Sequence, residues 1–191
     1  MTRFSSSVVV AAFAVGSMLG ADGVQARQQT VNRDAQLQQD FKKRVDAYMA
    51  LHSRLEKQAP PLKTQTGAAE IKAHQDALAK RILAARTEAR HGDVFTPEIS
   101  ALFRRLMYPE LKGTEGTETK KSMQDDAPAA ITLKVNAAYP DNAPLPTVPP
   151  NLLANLPQLP KDLEYRFIGR DLILRDVHAN LIVDFIANAI R

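Results

Sequence analysis

His52 and His74 are the first residues whose placement suggests chemistry, because each interrupts an otherwise apolar stripe on a helix-forming segment. In an antiparallel helix pair, His52 falls about six residues before one helix ends and His74 about eight after the next begins, so the imidazoles can meet at one level. Facing histidines can start a metal site, but bundle metalloproteins also use inward carboxylates in a Glu-x-x-His spacing. Here Glu56 lies four residues after His52 and Glu70 four before His74, one helical turn away but not in that spacing. Histidines bonded to backbone, water or those glutamates fit the same pattern, so the sequence assigns no metal, cofactor or catalytic residue outright. A hydrolytic set, if there is one, would be drawn from His52, His74, Asp171, Asp176 and His178.

Other chemistries are excluded more firmly. The chain has no cysteine, which removes thiol catalysis, cysteine-ligated zinc, iron-sulfur clusters and disulfide staples together. Beyond residue 26 the serines are Ser53, Ser100 and Ser122, none in a Gly-x-Ser-x-Gly or Ser-x-x-Lys setting. There is no phosphate-binding glycine loop and no His-Glu-x-x-His helix. With no tryptophan and 6% aromatic residues, a sugar-stacking cleft is not suggested.

The segment Ile173-Leu174-Arg175-Asp176-Val177-His178-Ala179-Asn180-Leu181 resembles the opening strand and loop of calcineurin-like metallophosphoesterases. That resemblance implies that Asp176 and His178 share a metal at a strand end, a chemistry suited to a hard carboxylate and an imidazole. The family draws further Asp, Asn and His ligands from a much larger α/β fold, whereas ten residues follow Leu181 here. Without them, Asp176, His178 and Asn180 read as turn residues.

The positioning elements begin with an address. Arg3, the apolar run from Val8 to Leu19 and the small residues at Val24-Gln25-Ala26 read as a signal peptide over residues 1–26, cleaved after Ala26. The apolar run is too short for a spanning helix, and none of sufficient length follows, so no transmembrane segment is expected after cleavage. The 165 residues beyond it are enough for one domain. The net charge of +4 is concentrated in residues 27–111, with 15 basic and 10 acidic side chains, against six of each in 130–191. That surplus is small for its length and reads as a solvated surface, with no nucleic-acid partner indicated.

Phe41, Val45, Tyr48, His52 and Leu55 form one stripe of a helix over 34–58 that Pro60-Pro61 ends. A second helix runs from a Thr66 cap to about Arg90, with Ile71, His74, Leu78, Ile82, Ala85 and Ala89 in line and Gly92 as its stop. A third opens at Thr96-Pro97-Glu98 and carries Ile99, Leu102, Phe103, Leu106 and Met107 to Pro109. Residues 112–129, whose only large apolar residue is Met123, read as a flexible linker. Alternation at Ile131, Leu133 and Val135 suggests a strand, and the proline-rich stretch 140–160 suggests an extended arm with a short helical turn at Leu152, Leu153 and Leu156.

Leu163–Ile168 and Asp171–Asp176 flank Gly169-Arg170 as a hairpin. Pairing Ile168 with Asp171 sets Phe167 opposite Leu172, Tyr165 opposite Leu174 and Glu164 opposite Arg175. A turn at 177–180 then leads to a third strand, with Val183 against Leu174 and Phe185 against Leu172; a terminal helix over 181–190 is the competing pattern. The run from Leu163 to Asp176, continued by Ala179 to Ile186, is similar to the ending of small exported bacterial proteins without an assigned activity. That similarity implies an exported bacterial origin and transfers no site residue.

The expectation is an α+β protein: a three-helix unit over 27–111, a linker over 112–129, and a small three- to four-stranded antiparallel sheet within 130–191. Its expected function is that of a non-catalytic interaction or accessory protein of the envelope, partnered by another envelope protein. A metal-dependent or carboxylate-based hydrolase is the alternative.

Overall fold

The computed structural model describes residues 21–62, 67–125, 131–141, 143 and 148–190. Most of the expected signal peptide, the Thr66 cap, residues 126–129 of the expected linker, residue 130 and part of the proline-rich arm lie outside them. The chain falls into two units, 1–33 and 34–191. In the first, residues 21–33 are helical and belong to the start of helix α1, Ala21–Glu56.

The second unit is α+β, helices followed by a three-stranded antiparallel sheet. After α1 come α2 (Ala68–Ala85), α3 (Pro97–Met107) with a 3₁₀ turn at Tyr108–Leu111, α4 (Gly113–Asp125) and α5 (Pro150–Ala154). Strands β1 (Leu163–Ile168), β2 (Asp171–Asp176) and β3 (Leu181–Ile186) follow in the order β1-β2-β3. Among the described residues, no helix is long and apolar enough to cross a membrane.

The α1 stripe is buried along its length, and with it Leu78 and Ile82 of α2 and Ile99, Phe103 and Met107 of α3. These side chains pack against Tyr165, Phe167, Leu172, Leu174, Val183 and Ile186 on one face of the sheet. Phe41, Phe95 and Phe103 meet as an aromatic triangle with ring centres 5.0–5.6 Å apart. Thr96 caps α3 through its Oγ1, which accepts from the Ile99 amide at 3.3 Å, and Pro97 takes the first helical position.

The hairpin has the expected register at every pair, from Ile168↔Asp171 to Leu163↔Asp176, and Gly169 turns with a φ of 58°. The third element is a strand and not a helix, and its register starts as expected with Asp176↔Leu181 and Arg175↔Ile182. It then shifts: Leu174 pairs with Asp184 and Leu172 with Ile186, not with Val183 and Phe185. A bulge absorbs the extra residue and re-aims a side chain, as bulges do. The side chain is that of fully buried Asp184, which accepts the Val94 and Phe95 amides at 2.8 and 2.9 Å and the Gly92 amide at 3.1 Å. A carboxylate with no apolar alternative is thus carried to the three amides that need an acceptor.

Three further expectations are corrected. Residues 113–125 form α4 instead of a flexible linker; Met123 is buried, and Gly116 lies so close to Leu111 that a Cβ would meet its carbonyl carbon at 2.3 Å. Residues 131–135 do not form a strand. The chain turns at Asn136, φ 64°, and pairs with the edge of β3 only afterwards, through Asn136 N–H to Ile182 O at 2.8 Å and Tyr139 N–H to Asn180 O at 2.9 Å. Ile131, Leu133 and Tyr139 instead cover the second face of the sheet over Ile173 and Ile182. Finally, α2 ends at Ala85 and not near Arg90, where Arg86 leaves the helix to exchange hydrogen bonds with the Asn136 side chain at 2.8 and 2.9 Å. The Leu152 turn forms as expected, as α5.

Candidate metal centre

Three elements bring their polar residues to one point. Helix α1 is long enough to carry Tyr48, His52 and Glu56 on successive turns of its buried stripe, at the spacing that stacks side chains on one face. Helix α2 places His74 one turn before Leu78 and two before Ile82, all three buried. The turn between β2 and β3 supplies His178.

Each histidine offers one nitrogen to Glu56 and gives the other to an outer acceptor. His52 Nδ1 lies 2.6 Å from Asp176 Oδ2, and its Nε2 lies 3.5 Å from Glu56 Oε2. His74 Nδ1 donates to the Pro60 carbonyl at 2.7 Å, and its Nε2 lies 3.7 Å from Glu56 Oε1. His178 Nδ1 bonds Glu56 Oε1 at 2.7 Å, and its Nε2 faces Asp162 Oδ1 at 3.6 Å. A carbonyl oxygen can only accept, so His74 Nδ1 carries a proton, as does His52 Nδ1 against the Asp176 carboxylate, and in the neutral tautomer of each ring Nε2 presents a lone pair.

Those inward nitrogens are the site's anomaly. His52 Nε2, His74 Nε2 and Asp162 Oδ1 are buried and make no hydrogen bond. Leaving such an atom unmade costs about 1–3 kcal/mol, and native folds retain few of them without a reason. A bound cation would give them a partner. In a tetrahedral site with bonds of about 2.0–2.1 Å, donor atoms stand about 3.4 Å apart, close to the 3.5 and 3.7 Å spans from the imidazoles to Glu56. Donor atoms of His52, Glu56 and His178 all lie within 4.8 Å of one another; His74 stands outside that group and approaches it through Glu56 alone, at 3.7 Å.

The outer acceptors match what metal-bound imidazoles use, a carboxylate or carbonyl on the distal nitrogen. Asp176 does the most. Its Oδ2 accepts from Tyr48 Oη and from His52 Nδ1, each at 2.6 Å, and its Oδ1 accepts from the Ala179 amide at 2.8 Å. One buried carboxylate therefore orients His52 and closes the turn that carries His178. Burial alone would raise the Asp176 carboxyl, but the His52, Tyr48 and Ala179 hydrogen bonds hold it below the usual range. Burial would also raise Glu56, and the His178 hydrogen bond with the neighbouring imidazoles brings it down. For His52, burial favours the neutral ring, yet the Asp176 hydrogen bond and the charges of Asp176, Glu56 and Asp162 raise it overall. Tyr48 is pushed up by burial and by Asp176. Three carboxylates thus surround three imidazoles, and either protons on the rings or a bound cation would offset their charge.

His52 and His74 each face Glu56, at 3.5 and 3.7 Å, and His178 joins the same carboxylate at 2.7 Å. Glu56 reaches His52 along α1, whereas Glu70 turns away to accept the Gly67 amide at 2.6 Å. The strand-and-loop resemblance implied a shared ion at Asp176 and His178; the Asp176 oxygens are instead engaged by Tyr48, His52 and the Ala179 amide. Asp171, at the other end of β2, accepts the Asn188 amide at 2.7 Å and takes no part. Asp162 was not singled out in the sequence and Tyr48 only as a member of the apolar stripe, because neither a loop aspartate nor the hydroxyl of a core tyrosine carries a signal of its own. Two grooves of about 480 and 680 Å³ flank Pro157–Leu159, and neither is lined by His52, Glu56, His74 or His178. No family model, curated protein or solved structure matches this chain, so the donor set stands on its own geometry.

Proposed function

We propose that this protein is an exported, non-catalytic accessory protein of the bacterial envelope that binds one divalent transition metal ion through His52, His74, His178 and Glu56. One observation carries this reading: two buried imidazoles have Nδ1 committed to Asp176 and Pro60 and their Nε2 atoms facing Glu56 without hydrogen bonds. Imidazole donors select zinc, copper or nickel over calcium and magnesium, which take oxygen ligands. Export rests on the charged and apolar pattern of residues 1–26. The non-catalytic reading rests on the sequence, which carries no nucleophile elbow, phosphate loop or His-Glu-x-x-His helix.

The test is a titration of metal-free purified protein with cobalt(II) or zinc(II). Uptake of one equivalent, with the absorption of tetrahedral cobalt, is expected; a His52→Ala/His74→Ala variant that keeps its helical circular dichroism should lose it. Failure of the wild type to take up either ion would overturn the proposal, as would equal uptake by the variant.

A further inference from the structure

The donors differ in how far solvent reaches them. The His52 side chain is 0% exposed and that of His74 8%, whereas Glu56 is 30% and His178 40% exposed. The gradient follows the elements. His52 lies within α1 and His74 is held between Pro60 and the core residues of α2, so neither can swing away without opening the body. Glu56 is the last residue of α1, and His178 stands on the short turn between β2 and β3. The site has two fixed donors at its back and two donors at its mouth.

We infer, resting on the metal reading above, that the ion is exchangeable cargo, a divalent transition metal that enters and leaves by ligand substitution at the Glu56–His178 edge while His52 and His74 stay in place. An incoming donor can reach the ion only where a resident ligand is exposed, and this edge is where both exposed ligands lie. Glu56 and His178 are also each other's hydrogen-bond partner at 2.7 Å, so both have a place to go when the ion departs. Neither is left as an orphaned buried group. Substitution then proceeds through a mixed complex in which the acceptor binds before the protein lets go. The acceptor is a molecule carrying its own nitrogen, oxygen or sulfur ligands, and no covalent step is involved.

The experiment is stopped-flow transfer of zinc from the loaded full chain to the chromophoric chelator 4-(2-pyridylazo)resorcinol over a hundredfold range of concentration. A release rate that rises in proportion to chelator is expected. In His178→Ala, zinc affinity should fall tenfold or more while the far-ultraviolet circular dichroism of the metal-free protein is unchanged. A rate independent of chelator concentration, or an ion retained for hours in excess chelator, would overturn exchange at this edge and leave a resident structural ion. Absence of zinc uptake by the wild type would instead overturn the metal reading itself, so the two failures are told apart.

Discussion

Replacing Asp176 with asparagine removes a charge and little volume, which makes it the sharpest probe of the cluster. The carboxylate is fully buried and accepts three hydrogen bonds, from Tyr48 Oη, His52 Nδ1 and the Ala179 amide. An asparagine oxygen can keep Tyr48 and His52, but as neutral bonds of about 0.5–1.5 kcal/mol in place of charged ones of about 1.5–3 kcal/mol. Its amide nitrogen then faces the Ala179 N–H, donor against donor, and that bond is lost. About 1 kcal/mol for each weakened bond and about 1–2 kcal/mol for the lost one give roughly 3–4 kcal/mol of destabilisation, a large share of a typical 5–15 kcal/mol. Urea unfolding at pH 7 with chelator present, followed by circular dichroism, measures it directly. Metal affinity should fall separately by about 10–100-fold, as for other outer-shell acceptors. A loss below about 1 kcal/mol in the metal-free protein would refute the reasoning, because a buried carboxylate with those partners cannot be so dispensable.

Two further outcomes follow from the fold. Asp184→Asn should cost about 2–4 kcal/mol in the same urea assay, since one side-chain oxygen cannot serve the Val94, Phe95 and Gly92 amides as the carboxylate does, and amide exchange at those positions should accelerate. Gly116→Ala should destabilise by about 1–3 kcal/mol, because the new methyl meets the Leu111 backbone, with its carbonyl carbon at 2.3 Å; an unchanged thermal midpoint would show that α4 does not dock as described.

The hairpin was legible because turn chemistry and alternation agree: Gly169 sits at the turn, and any other register would break both the apolar face and the Glu164–Arg175 pair. Its salt bridge forms at 2.6 Å. The α1 and α2 stripes were legible for the same reason, with His52 and His74 visible as polar residues in apolar positions. What hid the complete centre is that His178 and Asp162 lie on connections, where side-chain direction depends on tertiary packing and not on any period. Residues 113–125 were misread because a helix with one buried methionine has almost no hydrophobic signature; its anchorage is a glycine contact and the neighbouring 3₁₀ turn. The bulge in β3 escaped for a related reason. Its cause lies in the Gly92, Val94 and Phe95 amides, about 90 residues upstream in sequence, and no local pattern at Val183 records their need.

The long reach of the cluster sets a timetable. His52 and Asp176 are separated by 124 positions, and Glu56 and His178 by 122, so the donors from α1 and α2 are synthesised well before the turn that completes them. Until β2 and β3 are made, the helical half has His52 without the Asp176 carboxylate behind it and lacks His178. Closing such a distant contact is a late event in folding, and the finished centre therefore certifies that the C-terminal hairpin has docked. On the proposed reading, metal affinity becomes a readout of chain completion: a chain that ends before residue 176 has neither His178 nor the carboxylate that orients His52, and should hold an ion more weakly.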